Sequence, residues 1–132
     1  MILVDSSVWI DYFNGKITKQ TDLLDSLLGS EPIVIGDLIL TEVLQGFQED
    51  RDFNKARKLL DSLLFRQMLG KELAVKSAEN YCILRKKGVT VRKTIDVIIA
   101  TFCITNNLPL LHSDRDFRPM EKHLNLKVIG RI

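Results

Sequence analysis

Residues 2–13, Ile2-Leu3-Val4-Asp5-Ser6-Ser7-Val8-Trp9-Ile10-Asp11-Tyr12-Phe13, decide how the rest of the chain is read. Ile2, Leu3 and Val4 form a continuous apolar run with no polar alternation, the pattern of a strand covered on both faces of a parallel sheet. The run stops at Asp5, and the two hydroxyl residues that follow include one suited to cap a helix. Val8, Trp9, Ile10, Tyr12 and Phe13 then cover roughly 200° of a short helix, wider than the usual one-sided stripe. Strand, acid, helix is the start of an α/β unit, and it leaves a carboxylate where the strand ends.

The same arrangement recurs outward from this segment. Ile33–Ile35 is a second apolar run, and the helix after it carries Ile39, Leu40, Val43, Leu44 and Phe47 with Glu42 at the margin of the stripe. Leu108–Leu111 is a third run, passing through His112 and Ser113 into Asp114. Lys127–Ile129 is a fourth, and Phe65–Leu69 a weaker fifth. Between the strands, Leu23, Leu24, Leu27 and Leu28 predict a helix ended by Gly29. Phe53, Ala56, Leu59, Leu60, Leu63 and Leu64 predict a longer amphipathic one. Ala74, Ala78, Tyr81 and Cys82 mark a helix stopped after Lys87 by Gly88. Val97–Ile104 is apolar nearly all round, which predicts a central helix, and Asp96 sits in its first turn. Strands alternating with helices predict an α/β three-layer sandwich with a short parallel sheet of four or five strands.

Length and composition keep the expectation simple. The 132 residues fit one domain, 1–132, large enough to bury about two thirds of its unfolded surface without disulfides. With 45% hydrophobic and 27% charged residues, the chain reads as soluble and globular. A net charge of +2 is too small to argue for nucleic acid, so that case rests on local clusters. Cys82 and Cys103 fall in apolar helical patterns and read as reduced thiols of a cytoplasmic protein. The apolar runs are too short to cross a membrane, and the N-terminus reads as a strand rather than a signal peptide.

In an open parallel sheet, ligands bind outside the carboxyl ends of the strands. Asp5, Glu42, Asp96 and Asp114 come from four separate elements and converge on that rim. Two like charges about 4 Å apart cost roughly 1 kcal/mol in bulk water and about 4 at an effective dielectric of 20. A cation is expected among them, and hard oxygen donors suit Mg²⁺ or Mn²⁺. Taken singly, Asp5 also reads as a helix cap and Glu42 as a surface charge. The convergence of the set is the argument.

Asp5-Ser6-Ser7-Val8-Trp9-Ile10-Asp11-Tyr12-Phe13, Thr41-Glu42-Val43-Leu44-Gln45-Gly46, Asp96-Val97-Ile98-Ile99-Ala100 and His112-Ser113-Asp114-Arg115-Asp116-Phe117 together resemble the motifs of PIN-domain ribonucleases. The likeness is to the VapC-like toxins of bacterial toxin–antitoxin pairs, in the family's order and over essentially the whole chain. It implies a single PIN-like nuclease domain and a metal-dependent endoribonuclease. Asp5, Asp96 and Asp114 would hold Mg²⁺ or Mn²⁺, and Glu42 would bind metal or orient the attacking water. Asp116 matches a further acid of part of the family and also reads as a helix-start residue before Phe117. Ser113 stands where many relatives have Thr. Ser6 and Ser113 are expected to support the ligands, one serine hydroxyl beside Asp5 reaching a metal-bound water. The likeness further implies a homodimer and a cognate antitoxin whose helix fills a groove, for which the wide apolar face at Trp9, Tyr12 and Phe13 is the candidate.

Arg92, Lys93 and Arg115 lie beside the acids in sequence and are candidate contacts for RNA phosphate, with Arg118 near them. Arg85-Lys86-Lys87 reads as a cationic helix end. His112 reads as a strand-end packing residue and His123 as a surface one, and the two make no zinc motif. The rival readings are a HAD-like or receiver-like phosphoryl-transfer protein and a PIN-like binding module without catalysis. Against the first, a HAD pattern needs an Asp where Ser7 stands, and no paired acids precede a receiver-type phospho-acceptor strand.

Overall fold

A computed structural model describes residues 1–130. The order of elements is β1 (Ile2–Val4), α1 (Ser6–Phe13), α2 (Lys19–Leu27), β2 (Ile33–Gly36), α3 (Asp37–Leu44), α4 (Asp50–Asp61), β3 (Leu64–Arg66), α5 (Lys71–Lys86), α6 (Thr94–Thr105), β4 (Leu110–Leu111), a 3₁₀ turn (Arg115–Phe117) and α7 (Arg118–Leu124). All strand pairs are parallel, in the order β3-β2-β1-β4. Helices flank the sheet in two groups. In one, α1 packs on α2 and α3, and α3 on α4; in the other, α5 packs on α6, and α7 on both. This is the α/β three-layer architecture that the alternation of strands and helices predicts.

The strand order sets where a site can form. From β1 the chain steps outward through β2 to β3, then returns to place β4 on the other side of β1. The order therefore reverses between β1 and β4, and the carboxyl ends of those two strands flank the crevice where open α/β sheets take ligands. Leu3 pairs with Val34 on one side and Leu110 on the other, and Leu3, Val4, Val34, Leu110 and Leu111 are completely buried.

Several element boundaries differ from the expectation. The run at 127–129 contributes a single bridge, Val128 to Leu110, while the weaker candidate near Phe65 is the true edge strand, shifted to Leu64–Arg66. Leu64 and Phe65 are exposed there, so β3 lacks the buried apolar signature of the other strands. α4 ends at Asp61, because Leu64 is taken by the sheet. α5 turns Leu73, Ser77 and Leu84 inward rather than Ala74 and Ala78, and Asn80 donates to Thr101 of α6 at 3.0 Å. The core contact between these helices thus includes polar residues that an apolar-stripe reading skips.

The aromatic face of α1 is also different in kind. Val8 and Trp9 are completely buried; Trp9 stacks on Phe13 at 5.8 Å, and Phe13 meets Phe47 edge-on at 5.8 Å. α1 lies between α2 and α3, so a wide face is needed to fill the core. Trp9 is therefore no surface anchor for a partner, and Tyr12 and Phe13 are half-buried against the core. Cys82 and Cys103 are free thiols. Among the described residues, no helix is long and apolar enough to cross a membrane.

Candidate active site

Asp5 is fixed by the sheet. Its amide donates to the Leu111 carbonyl at 2.9 Å, which carries the β1–β4 ladder one residue past the strand. Its Oδ2 accepts from the Ser7 amide at 3.0 Å, so the carboxylate itself caps α1 and neither serine hydroxyl does. The remaining oxygen, Oδ1, is buried without a hydrogen-bond partner. Burial pushes the Asp5 carboxyl up against the opposing pull of Ser7 and His112, with Asp114 adding to the rise.

The two serines have separate tasks. Ser6 Oγ donates to Glu42 Oε1 at 3.1 Å, steadying the half-buried Glu42 of α3 over the crevice. Ser7 Oγ accepts from the Ser113 amide at 3.1 Å, tying the start of α1 to the loop after β4. Ser113 is exposed and engages through its backbone; sequence reasoning assigned the supporting role to its hydroxyl. Burial and then Asp5 raise the Glu42 carboxyl, while Ser6 and Lys93 oppose the rise.

Asp96 lies in the first turn of α6 and is 3% exposed. Its Oδ2 is buried without a hydrogen bond, though Lys93 Nζ approaches to 3.5 Å. Burial drives its carboxyl up to about 7 against the pull of Lys93, with Asp5 and Asp114 adding repulsion. Asp114 behaves oppositely. Its Oδ1 accepts from the Asp116 amide at 2.9 Å and its Oδ2 from Lys93 Nζ at 3.3 Å. Although its burial acts upward, these contacts and His112 hold it below the ordinary carboxylate value.

One carboxylate oxygen each of Asp96, Asp114 and Asp116 lie within 4.8 Å of one another. Asp5 and Glu42 adjoin this group closely enough to feel its charge. The donor set passes the chemical test for a divalent ion: all hard oxygens, with a buried oxygen on each of Asp5 and Asp96 that takes no hydrogen bond. Mg²⁺ and Mn²⁺ favour such donors, whereas zinc favours nitrogen or sulfur.

His112 is a packing and orienting residue. Its Nδ1 lies 3.1 Å from the Asp114 amide, and its Nε2 faces Glu121 Oε2 at 3.0 Å. The ring packs on Phe117 with centroids 4.9 Å apart. Nothing in the sequence pairs His112 with Glu121, nine positions on.

Two clefts flank the acids. The larger, about 710 Å³, is lined by Ser7, Lys16, Asp114, Arg115 and Arg118 among others. The smaller, about 300 Å³, includes Arg92, Asp96 and Asp116. Arg115 and Arg118 border both. Arg92, Lys93 and Arg115 thus all lie at the rim, with Lys93 already engaged by two of the acids.

Comparison with known proteins gives consistent relatives. The family model described as PIN domain matches residues 2–122. The chain is 29% identical over 132 residues to Ribonuclease VapC11 of Mycobacterium tuberculosis, covering 96% of each. It is 26% identical over 130 residues to Ribonuclease VapC1 of Methanocaldococcus jannaschii, covering 98% of this chain and 88% of that one. Among solved structures, it resembles a chain of VapBC2 from Rickettsia felis bound to a DNA fragment from their promoter, with TM-score 0.72, 20% identity and 97% of each chain covered.

Proposed function

The chain belongs to the PIN-domain family, and on that premise we propose that it is a metal-dependent endoribonuclease, the toxin of a toxin–antitoxin pair, built as one nuclease domain over residues 1–132. Family membership sets aside the HAD-like and receiver-like alternatives. Relatives along the full chain are named ribonucleases, and solved complexes of similar fold join a toxin to its antitoxin. The observation that carries the reading is the grouping of Asp96, Asp114 and Asp116 at one crevice, with Asp5 and Glu42 close enough to feel the charge there and buried oxygens of Asp5 and Asp96 that take no hydrogen bond.

In this reading Asp96, Asp114 and Asp116 hold the ion, with Asp5 Oδ1 beside them. Mg²⁺ or Mn²⁺ held there would supply Lewis acidity and lower the pKa of bound water. Glu42, raised by burial and by Asp5 and steadied by Ser6, accepts a proton from the attacking water. Arg115 and Arg118 stand between the two clefts and hold the phosphates on either side of the cleaved bond, Arg92 adding a contact in the smaller one. Flexible single-stranded or loop RNA fits an open crevice of this kind, since its backbone can bend into it. The protein works in the cytoplasm as a homodimer restrained by its antitoxin.

Inducible expression in bacteria tests the toxin assignment. Wild type should arrest growth, Asp5→Asn should not, and co-expression of the cognate antitoxin should restore growth. Harmless expression of folded wild type would reject it.

A further inference from the structure

Lys93 occupies the N-cap of α6 and makes no side-chain capping bond there. That position faces unsatisfied amides at the positive end of the helix dipole, where Ser, Thr, Asp and Asn are favoured and a cation is not. A residue that breaks a local rule without a local gain points to a site that needs it.

The gain is found across the crevice. Lys93 Nζ lies 3.5 Å from Asp96 Oδ2 and 3.3 Å from Asp114 Oδ2. These are two of the three aspartates whose oxygens group within 4.8 Å. Among the described residues, no other cation forms an ion pair with Asp96, Asp114 or Asp116. The side chain is half exposed on a flexible four-carbon stem, free to leave toward solvent. An ammonium between two carboxylates and a divalent ion on the same oxygens exclude one another, since the ion needs oxygens at roughly 2.0–2.1 Å for Mg²⁺ and repels the lysine.

We infer that Lys93 is a built-in counter-ion that holds the place between Asp96 and Asp114 until a divalent ion displaces it. The inference rests on the reading that these aspartates bind metal. Lys93 is then a positioning residue: it keeps the acids together in the empty protein and sets the metal concentration at which the site loads.

Calorimetric titration of Mn²⁺ into wild type, Lys93→Met and Lys93→Arg tests this without reference to RNA cleavage. Lys93→Met keeps the stem and removes the charge, and should bind Mn²⁺ about tenfold more tightly while melting at a lower temperature in EDTA. Lys93→Arg should bind like wild type. In the wild-type protein with ¹³C-dimethylated lysines, the Lys93 resonance, identified by its loss in Lys93→Arg, should move to the position of a solvent-exposed lysine as Mg²⁺ saturates. Equal Mn²⁺ affinity in wild type and Lys93→Met, equal tightening in both variants, or a Lys93 resonance unmoved by saturating Mg²⁺ would overturn the inference while leaving the metal site intact. A wild-type protein that binds no Mn²⁺ at all would remove the site and the inference together.

Discussion

Asp96 is buried beside other carboxylates, and its carboxyl is pushed up to about 7, burial being the largest cause. Above that value the metal-free fold carries the full cost of a buried negative charge. Between about 7 and the ordinary value of 3.8 the folded state binds more protons than the unfolded one, so stability rises as pH falls through that window. Asp96→Asn removes this dependence. In EDTA the variant should melt above wild type at pH 8, with a flatter response between pH 8 and pH 5. Added Mg²⁺ should stabilise the variant less than wild type, because binding free energy adds to folding free energy. A less stable variant with an undiminished Mg²⁺ response would make Asp96 merely a helix-start residue. Ser7→Ala should cost about 1 kcal/mol in urea denaturation, through the lost bond to the Ser113 amide, and should lower RNA cleavage by loosening Asp114; an unaltered rate would mean the loop is held by other contacts. At this scale the acids were legible: Asp5 and Asp114 follow strand runs, Asp96 lies in the first turn of a helix, and Glu42 stands at the margin of the apolar stripe of α3. Their polar supports were not: the Ser6–Glu42 and Ser7–Ser113 bonds span 36 and 106 positions, and no periodicity encodes such pairs.

α1 shows how an element can be read correctly and its role misjudged. Its aromatic width was plain in the sequence, but a wide apolar face serves equally for an interface or for a helix enclosed by neighbours. Packing of α2 and α3 against it decides for the core. Trp9→Ala should therefore destabilise the fold by about 3–5 kcal/mol, measured by urea denaturation. A small loss of stability with weakened antitoxin binding would restore Trp9 to the surface. The strands divide along the same line. β1 and β2 were legible because both faces are buried; β3 was nearly missed because Leu64 and Phe65 are exposed at an edge. The run at 127–129 was over-read because its apolar residues pack beside β4 while its backbone makes one bridge.

The whole molecule brings its acids to one place through topology. Reversal of strand order between β1 and β4 sets Asp5 and Asp114 side by side although they are 109 positions apart in the numbering, while α3 and α6 deliver Glu42 and Asp96 to the same rim. The alternation of elements predicted the sandwich, but periodicity alone does not give the order of strands, and the convergence of the acids depends on that order. The activity proposed for this rim is cleavage of RNA with a divalent ion. Its most direct test is cleavage of a labelled single-stranded RNA by purified wild type and Asp5→Asn, each with Mg²⁺, with Mn²⁺ and with EDTA. Asn caps a helix as well as Asp does, so the variant should keep the fold while losing the carboxylate. Cleavage by wild type only when metal is present, with Asp5→Asn inactive throughout, is the predicted result; cleavage that survives both EDTA and Asp5→Asn would contradict it.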